Sequence, residues 1–192
     1  MTHHHRGKSS ESFLDKEIIL RELNILPGQT ILDAGCGNGY MSKEFSRILN
    51  NTGKVYALDP DREAIEALRR QKKLTEGTII EAMIGHITRT TPLEASSIDL
   101  IYLSTVFHGF SKNEIQDFQK EARRLLKPHA RLAVVEIHKQ TTPFGPPIGM
   151  RFSPEELKQI VTLVPLTTVE VGQYFYMQLF ENTAEDPTDN EG

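Results

Sequence analysis

The chain has 192 residues, 38% of them apolar and 25% charged, which suits one soluble domain with a core of its own. Lys and Arg number 22 against 26 Asp and Glu, a net charge of −4, and the stretch from Glu181 to Gly192 carries only acids, so the body is near neutral, unlike the basic surface of most nucleic-acid binders. The single cysteine, Cys36, excludes a disulfide framework, a four-cysteine zinc site and a cysteine-held iron–sulfur cluster, and no apolar run reaches the roughly 18–20 residues of a membrane helix.

Residues 1–10 are polar and read as a flexible N-terminus, with the run His3, His4 and His5 solvated. From Glu11 onward, Phe13, Leu14, Ile18, Leu20 and Leu23 recur close to a helical period, and Pro27 with Gly28 ends the pattern. Residues 30–34 form a short buried strand, a glycine cluster follows, and 40–49 reads as a helix. After the turn Asn50-Asn51-Thr52-Gly53 comes a second strand, 54–58. Asp59 is placed to cap the next helix, with Pro60 at its first position. That helix turns Ile65 and Leu68 inward and gathers Arg69, Arg70, Lys72 and Lys73 near its end, where cations suit the dipole.

Strands over 78–83 and 98–103 continue the alternation. Ser111 and Glu114 make a capping box for a helix whose inner face is Ile115, Phe118, Ala122, Leu125 and Leu126, and Lys127-Pro128 ends it. A fifth strand spans 131–137, Ser153-Pro154-Glu155-Glu156 opens a last helix, and two β stretches close the chain at 167–171 and 174–180. Strands alternating with helices imply a mostly parallel sheet covered on both faces. The last two strands have no helix between them and are able to pair as a hairpin, which would make one of them antiparallel. The expected organisation is a folded domain over 11–181 and an acidic flexible tail over 182–192.

In an open α/β sheet, ligands bind beyond the carboxyl ends of the strands, where the strand order reverses. The first strand runs into Asp33-Ala34-Gly35-Cys36-Gly37-Asn38-Gly39. Three glycines between a strand and a helix clear side chains from a place where a ligand must come close. The dinucleotide fingerprint G-x-G-x-x-G would need a glycine at position 40, where Tyr40 stands, so a pyrophosphate turn is disfavoured. The second strand ends at Asp59, whose carboxylate is able to accept from both hydroxyls of a ribose. Either feature alone is weak, since such a loop is often only a turn and such an acid only a cap. In this order they point to a nucleoside ligand without a pyrophosphate.

At these residues the sequence resembles the class I S-adenosylmethionine-dependent methyltransferases, over roughly 11–180. Residues 31–39 resemble the family's first motif and Tyr56-Ala57-Leu58-Asp59 its second; Ser97-Ile98-Asp99-Leu100-Ile101 resembles the entry to the fourth strand, and residues 125–132 the passage into the fifth. The small-molecule branch that includes ubiquinone and menaquinone methyltransferases is the nearest in appearance. The resemblance implies a Rossmann-like, doubly wound, mostly parallel seven-stranded sheet with one antiparallel strand near the C-terminus. It implies S-adenosyl-L-methionine as cofactor, with Gly35, Gly37 and Gly39 along its methionine part and Asp33 facing its ammonium through water. Asp59 would hold the ribose, Pro60 would lie beside the adenine, and Leu103 would offer its carbonyl to the ammonium. One position departs: where the family often has Gly-Asp after the third strand, this chain has Gly85-His86. Either a neutral His86 accepts from the adenine amino group, or His86 faces solvent and Ile87 supplies backbone contacts.

Methyl transfer from a sulfonium needs an acceptor lone pair in line behind the methyl carbon, and a base if the acceptor is a phenol or similar acid. His108, in the loop after the fourth strand, is the candidate base; the alternative is that it shapes the pocket. His138 has the same two readings. His86, His108 and His138 lie on separate loops without a paired ligand motif, so no metal is expected. Cys36 reads as a small buried filler. The loop over 141–152 is either a lid, with Phe144, Met150 and Phe152 on an apolar acceptor and Arg151 on an anionic one, or an ordinary connection packed inward. The segment near Phe13 is placed to close the other side. The Asn/Asp-Pro-Pro-Tyr/Phe loop of nucleic-acid amino methyltransferases is missing at Leu103-Ser104-Thr105-Val106, and three thiols for arsenic chemistry are missing too.

The reading is therefore a cytoplasmic methyltransferase acting on a small-molecule O, N or C acceptor, as a monomer or homodimer, with no nucleic-acid partner and no membrane span. The alternatives are a cofactor-binding module without turnover, a nicotinamide-dependent oxidoreductase and a protein or RNA methyltransferase.

Overall fold

The computed structural model describes residues 10–74 and 79–183. Seven strands form one sheet: β1 (Thr30–Ala34), β2 (Lys54–Asp59), β3 (Ile80–Ile84), β4 (Ile98–Ser104), β5 (Leu126–Ile137), β6 (Val164–Gly172) and β7 (Phe175–Glu181). Their order is β3-β2-β1-β4-β5-β7-β6. Strands β1 to β5 pair parallel, and β7 runs antiparallel to both of its neighbours. The chain thus builds outward from β1 to β3, then crosses back to place β4 on the other side of β1. That reversal opens a crevice at the carboxyl ends of β1 and β4.

Helices cover both faces. On one face, α1 (Lys16–Leu23), α2 (Tyr40–Leu49) and α3 (Arg62–Leu74) bury Ile19, Leu23, Phe45, Leu49 and Ile65 against Ile31, Val55, Leu100 and Val135 of the sheet. On the other, α4 (Lys112–Leu125) and α5 (Pro154–Ile160) bury Phe118, Leu125 and Leu157 against Leu32, Ile101, Leu132 and Tyr176. Strands buried on both faces have to be apolar nearly throughout, which is why they stand out in the sequence. The capping boxes at Ser111 with Glu114 and Ser153 with Glu156 are both formed. Among the described residues, no helix is long and apolar enough to cross a membrane.

Some elements differ from expectation. The first helix is divided: residues Ser10–Phe13 make a 3₁₀ turn, and the carboxylate of Asp15 then accepts from the Ile18 N–H to start α1. Asp59 does not cap α3. Asp61 does, accepting from the N–H groups of Glu63 and Ala64. Strand β5 starts at Leu126, immediately after α4, and a register shift between Ile98 and Leu100 together with His129 at φ +59° absorbs the abrupt change. Residues 1–9, Thr78 of the expected third strand, and 184–192 of the expected tail lie outside the described residues. Asn182 is buried, and its side-chain amide donates to the carbonyls of Leu126 and Lys127, so the packed body continues through it.

Candidate cofactor and acceptor site

Beyond Ala34 the chain turns sharply over the end of β2. The N–H groups of Gly35 and Cys36 both donate to the carbonyl of Leu58, at 2.7 and 3.1 Å. Gly35 has φ +81°, and a Cβ there would stand 2.3 Å from a methyl of Val106, so the turn is pressed onto the segment that leaves β4. Gly37 is the opposite case. Its φ is +51°, and apart from Gly37 itself and its two chain neighbours no atom lies within 4 Å of where its Cβ would be. Neighbouring side chains do not require a glycine at 37, although its left-handed backbone favours one; the open space beside it leaves room for a ligand to lie against the turn. The Gly37 N–H donates to Oδ2 of Asp59 at 2.8 Å, while Oδ1 accepts from the Asp61 N–H at 2.8 Å. Each oxygen keeps further acceptor capacity.

Asp33 is buried beneath this turn and accepts from the hydroxyl of Ser42. Burial pushes its carboxyl up to about 7, with the Ser42 hydrogen bond opposing and the charge of Asp59 adding to the rise. The Cys36 thiol is also buried, and that burial together with the charges of Asp33 and Asp59 pushes it well above the ordinary thiol range. It is held as the thiol and is no nucleophile.

A cleft of about 560 Å³ opens at the carboxyl ends of β2 and β3, lined by Leu58, whose carbonyl holds the turn, and by Pro60, Arg69, His86 and Arg89 among others. Here the ring of His86 is engaged by Thr88. The Thr88 N–H donates to its Nδ1 at 3.3 Å, and the Thr88 hydroxyl lies 2.6 Å from the same nitrogen. A neutral ring that accepts at Nδ1 carries its proton on Nε2, so its second nitrogen is then a donor. Ile87 is buried in the core on the α4 face. Leu103, buried as well, stands between Ala34 and Val134, one residue before the end of β4.

His108 sits on a 3₁₀ turn, Phe107–Gly109, two residues beyond the Val106 that contacts Gly35. Its partner was not singled out from the sequence. Glu136, near the end of β5 and fully buried, accepts from the His108 N–H at 3.2 Å and lies 2.8 Å from Nδ1 of the ring. Burial alone would lower the His108 pKa, but the hydrogen bond and charge of Glu136 outweigh it and leave it raised, with Arg151 opposing. The available sequence signal was one acid inside the apolar run Val134-Val135-Glu136-Ile137, where a strand covered on both faces has no solvent to offer a charge.

The loop after β5 is held by Arg151. Its guanidinium is buried and donates to the carbonyls of Pro146, His138, Gln140 and Phe144 and to the hydroxyl of Thr142. With those bonds made, Arg151 braces the loop and does not reach toward an anionic acceptor. Phe144 stacks on Phe13 at 4.3 Å and Phe152 packs edge-on to Phe107 at 5.2 Å, while Ile148 and Met150 are exposed. Two aromatics pack inward, as in the ordinary-connection reading, and the tip of the loop presents apolar side chains to solvent. His138 is paired with Glu170 at 2.7 Å. Among the described residues, no three His, Cys, Asp or Glu side chains gather as a metal site.

A family model described as a methyltransferase domain matches residues 31–129, just over half of the chain. The chain belongs to this methyltransferase family. A 2-phytyl-1,4-naphtoquinone methyltransferase of Trichormus variabilis is 27% identical over 131 residues, covering 65% of this chain and 53% of that protein. A ubiquinone/menaquinone biosynthesis C-methyltransferase, UbiE, of Paraburkholderia phytofirmans is 30% identical over 129 residues, covering 67% and 51%. The chain spans about half the length of these curated relatives. The crystal structure of a SAM dependent methyltransferase from Aquifex aeolicus superposes with a TM-score of 0.80 at 27% identity, covering 91% of this chain and 93% of that one. The cofactor of this methyltransferase fold is S-adenosylmethionine. The open face at Gly37, the acceptor capacity left on Asp59 and the adjoining cleft fit it.

Proposed function

We propose that the chain is an S-adenosylmethionine-dependent methyltransferase acting on a small molecule, with an acidic hydroxyl or ring carbon of phenol or quinol type as the favoured acceptor. The observation that carries this reading is the pairing of an open glycine at 37 with the Asp59 carboxylate at the switch point of the sheet. When bound, the cofactor supplies an electrophilic methyl group. Gly35, Gly37 and Gly39 leave room for its amino-acid part, Asp33 provides the negative charge nearest to its ammonium, and Leu103 lies beside with its carbonyl. Asp59 takes the ribose hydroxyls. Pro60 and the His86–Ile87 segment border the base, His86 as a donor.

The acceptor enters on the side of His108, where the turn after β4 meets the glycine loop. His108 is the general base that takes the acceptor's proton. The quinone methyltransferases among the relatives support a quinol-like acceptor, as do the exposed apolar Ile148 and Met150 at the tip of the neighbouring loop. The near-neutral body supports a small-molecule partner over a nucleic acid.

A thermal-shift series with S-adenosylhomocysteine and NAD, followed by methyl transfer to a panel of phenols and quinols read by mass, tests this. Stabilisation by the first ligand only, with one acceptor gaining a methyl, is the expected result. Stabilisation by NAD alone, or cofactor binding with no acceptor turned over, contradicts it.

A further inference from the structure

We propose that Glu136 is the positioning residue of a His–Glu pair: it fixes the tautomer and direction of His108, so that Nε2 is the nitrogen that takes a proton from the acceptor. This rests on the functional reading above and adds to it a residue that does not itself touch substrate or cofactor.

A carboxylate of this kind has few uses. Glu136 is fully buried on β5, and it faces Tyr176 on β7. The Tyr176 hydroxyl is already given to the carbonyl of Phe152. Both carboxylate oxygens instead serve one residue, one taking the backbone N–H of His108 and the other meeting its ring at Nδ1. An ionised carboxylate only accepts, so Nδ1 must carry the hydrogen, and in the neutral ring the lone pair is then on Nε2. Nε2 has no hydrogen-bond partner among the described residues, and the His108 side chain retains 15% of its exposure.

Burying an acid on a central strand is expensive compared with an apolar residue of the same size. Holding the loop does not by itself call for an acid, since the Thr105 N–H already ties the segment to the carbonyl of Val135 at 2.8 Å. In the reaction the acceptor's X–H bond breaks, its electron pair stays on the acceptor, and its proton forms a bond to Nε2. The imidazolium so formed lies against Glu136, whose charge is already in place to stabilise it. The charged groups facing the ring are Glu136 and, more weakly and in opposition, Arg151.

The test is nitrogen NMR of the histidine rings in the full chain, with His108 assigned through the signals lost in His108→Gln. Wild type is expected to show the Nδ1–H tautomer at pH 8. In Glu136→Gln the amide oxygen takes the His108 N–H and leaves the amide NH2, which only donates, facing Nδ1, so the tautomer is expected to move toward Nε2–H and the titration midpoint downward. Glu136→Asp, which keeps a carboxylate, is expected to restore part of both. An Nε2–H tautomer in wild type, or an unchanged tautomer and midpoint in Glu136→Gln, overturns the proposal. The wild-type spectrum decides even if Glu136→Gln does not fold. Calorimetry with S-adenosylhomocysteine on the same samples separates the two claims: wild type that fails to bind it refutes the functional reading, while the NMR result still decides the His–Glu pair.

Discussion

At the scale of single residues, two acids of the glycine turn do different work. Asp59 ties the turn to β2 through Gly37 and keeps acceptor capacity toward the open side. Asp59→Ala is expected to weaken S-adenosylhomocysteine binding by about 1.5–3 kcal/mol, the worth of hydrogen bonds to a charged group; calorimetry showing unchanged affinity would remove it from the ribose. Asp33 has the raised pKa, about 7, so in the unliganded protein it is largely protonated below that pH. A cofactor ammonium favours the ionised form, so binding expels a proton there. Affinity for S-adenosylhomocysteine is therefore expected to climb as pH rises through about 7 and to flatten above it, and Asp33→Asn is expected to abolish that slope. The linked stability has the opposite sign: a carboxyl raised above its unfolded value stabilises at low pH and loses that contribution as pH passes about 7. Denaturation of Asp33→Asn should accordingly show less loss of stability from pH 6 to pH 8 than wild type.

At the scale of elements, the contrast between Gly35 and Gly37 separates packing from ligand approach. Both have positive φ, but only Gly35 would drive a Cβ into Val106. Gly37→Ala is expected to cost about 1 kcal/mol for its backbone conformation and to fold, yet to lose cofactor affinity. Gly35→Ala is expected to destabilise the fold itself by clashing at Val106. A Gly37→Ala variant that melts near wild type and binds S-adenosylhomocysteine normally would show that the open face receives no ligand. The brace at Arg151 belongs to this scale too. Arg151→Met removes bonds to four carbonyls and a hydroxyl, and urea unfolding is expected to show a loss of about 2–3 kcal/mol, with hydrogen exchange quickening between 139 and 150; an unmoved midpoint would mean that the loop holds itself.

At the scale of the whole molecule, what was legible in the sequence follows from what the sheet demands. Strands covered on both faces announce themselves as apolar runs between turn signals, and the two capping boxes mark their helices locally, so element order followed from pattern, whereas pattern left open which of the last two strands would be antiparallel, and the structure shows it to be β7. The misread points turn on a competing neighbour or on partners that only the folded loop assembles. Asp59 looked like a cap because Asp61 stood close enough to share the role, and Arg151 looked free because its carbonyl partners are brought in only by the folded loop. The site divides the same way. The glycine turn and Asp59 lie within one βαβ unit and were readable as a motif, whereas the pair of His108 and Glu136 joins β4 to β5 across 28 positions and exists only once those strands lie side by side. The central claim is that the crevice where the strand order reverses receives an adenosyl group along the glycine turn. A crystal of the full chain soaked with S-adenosylhomocysteine tests it most directly. The account predicts density with the ribose hydroxyls on the Asp59 carboxylate and the amino-acid end against Gly37; the nucleoside bound elsewhere, or this crevice empty at saturating ligand, would contradict it.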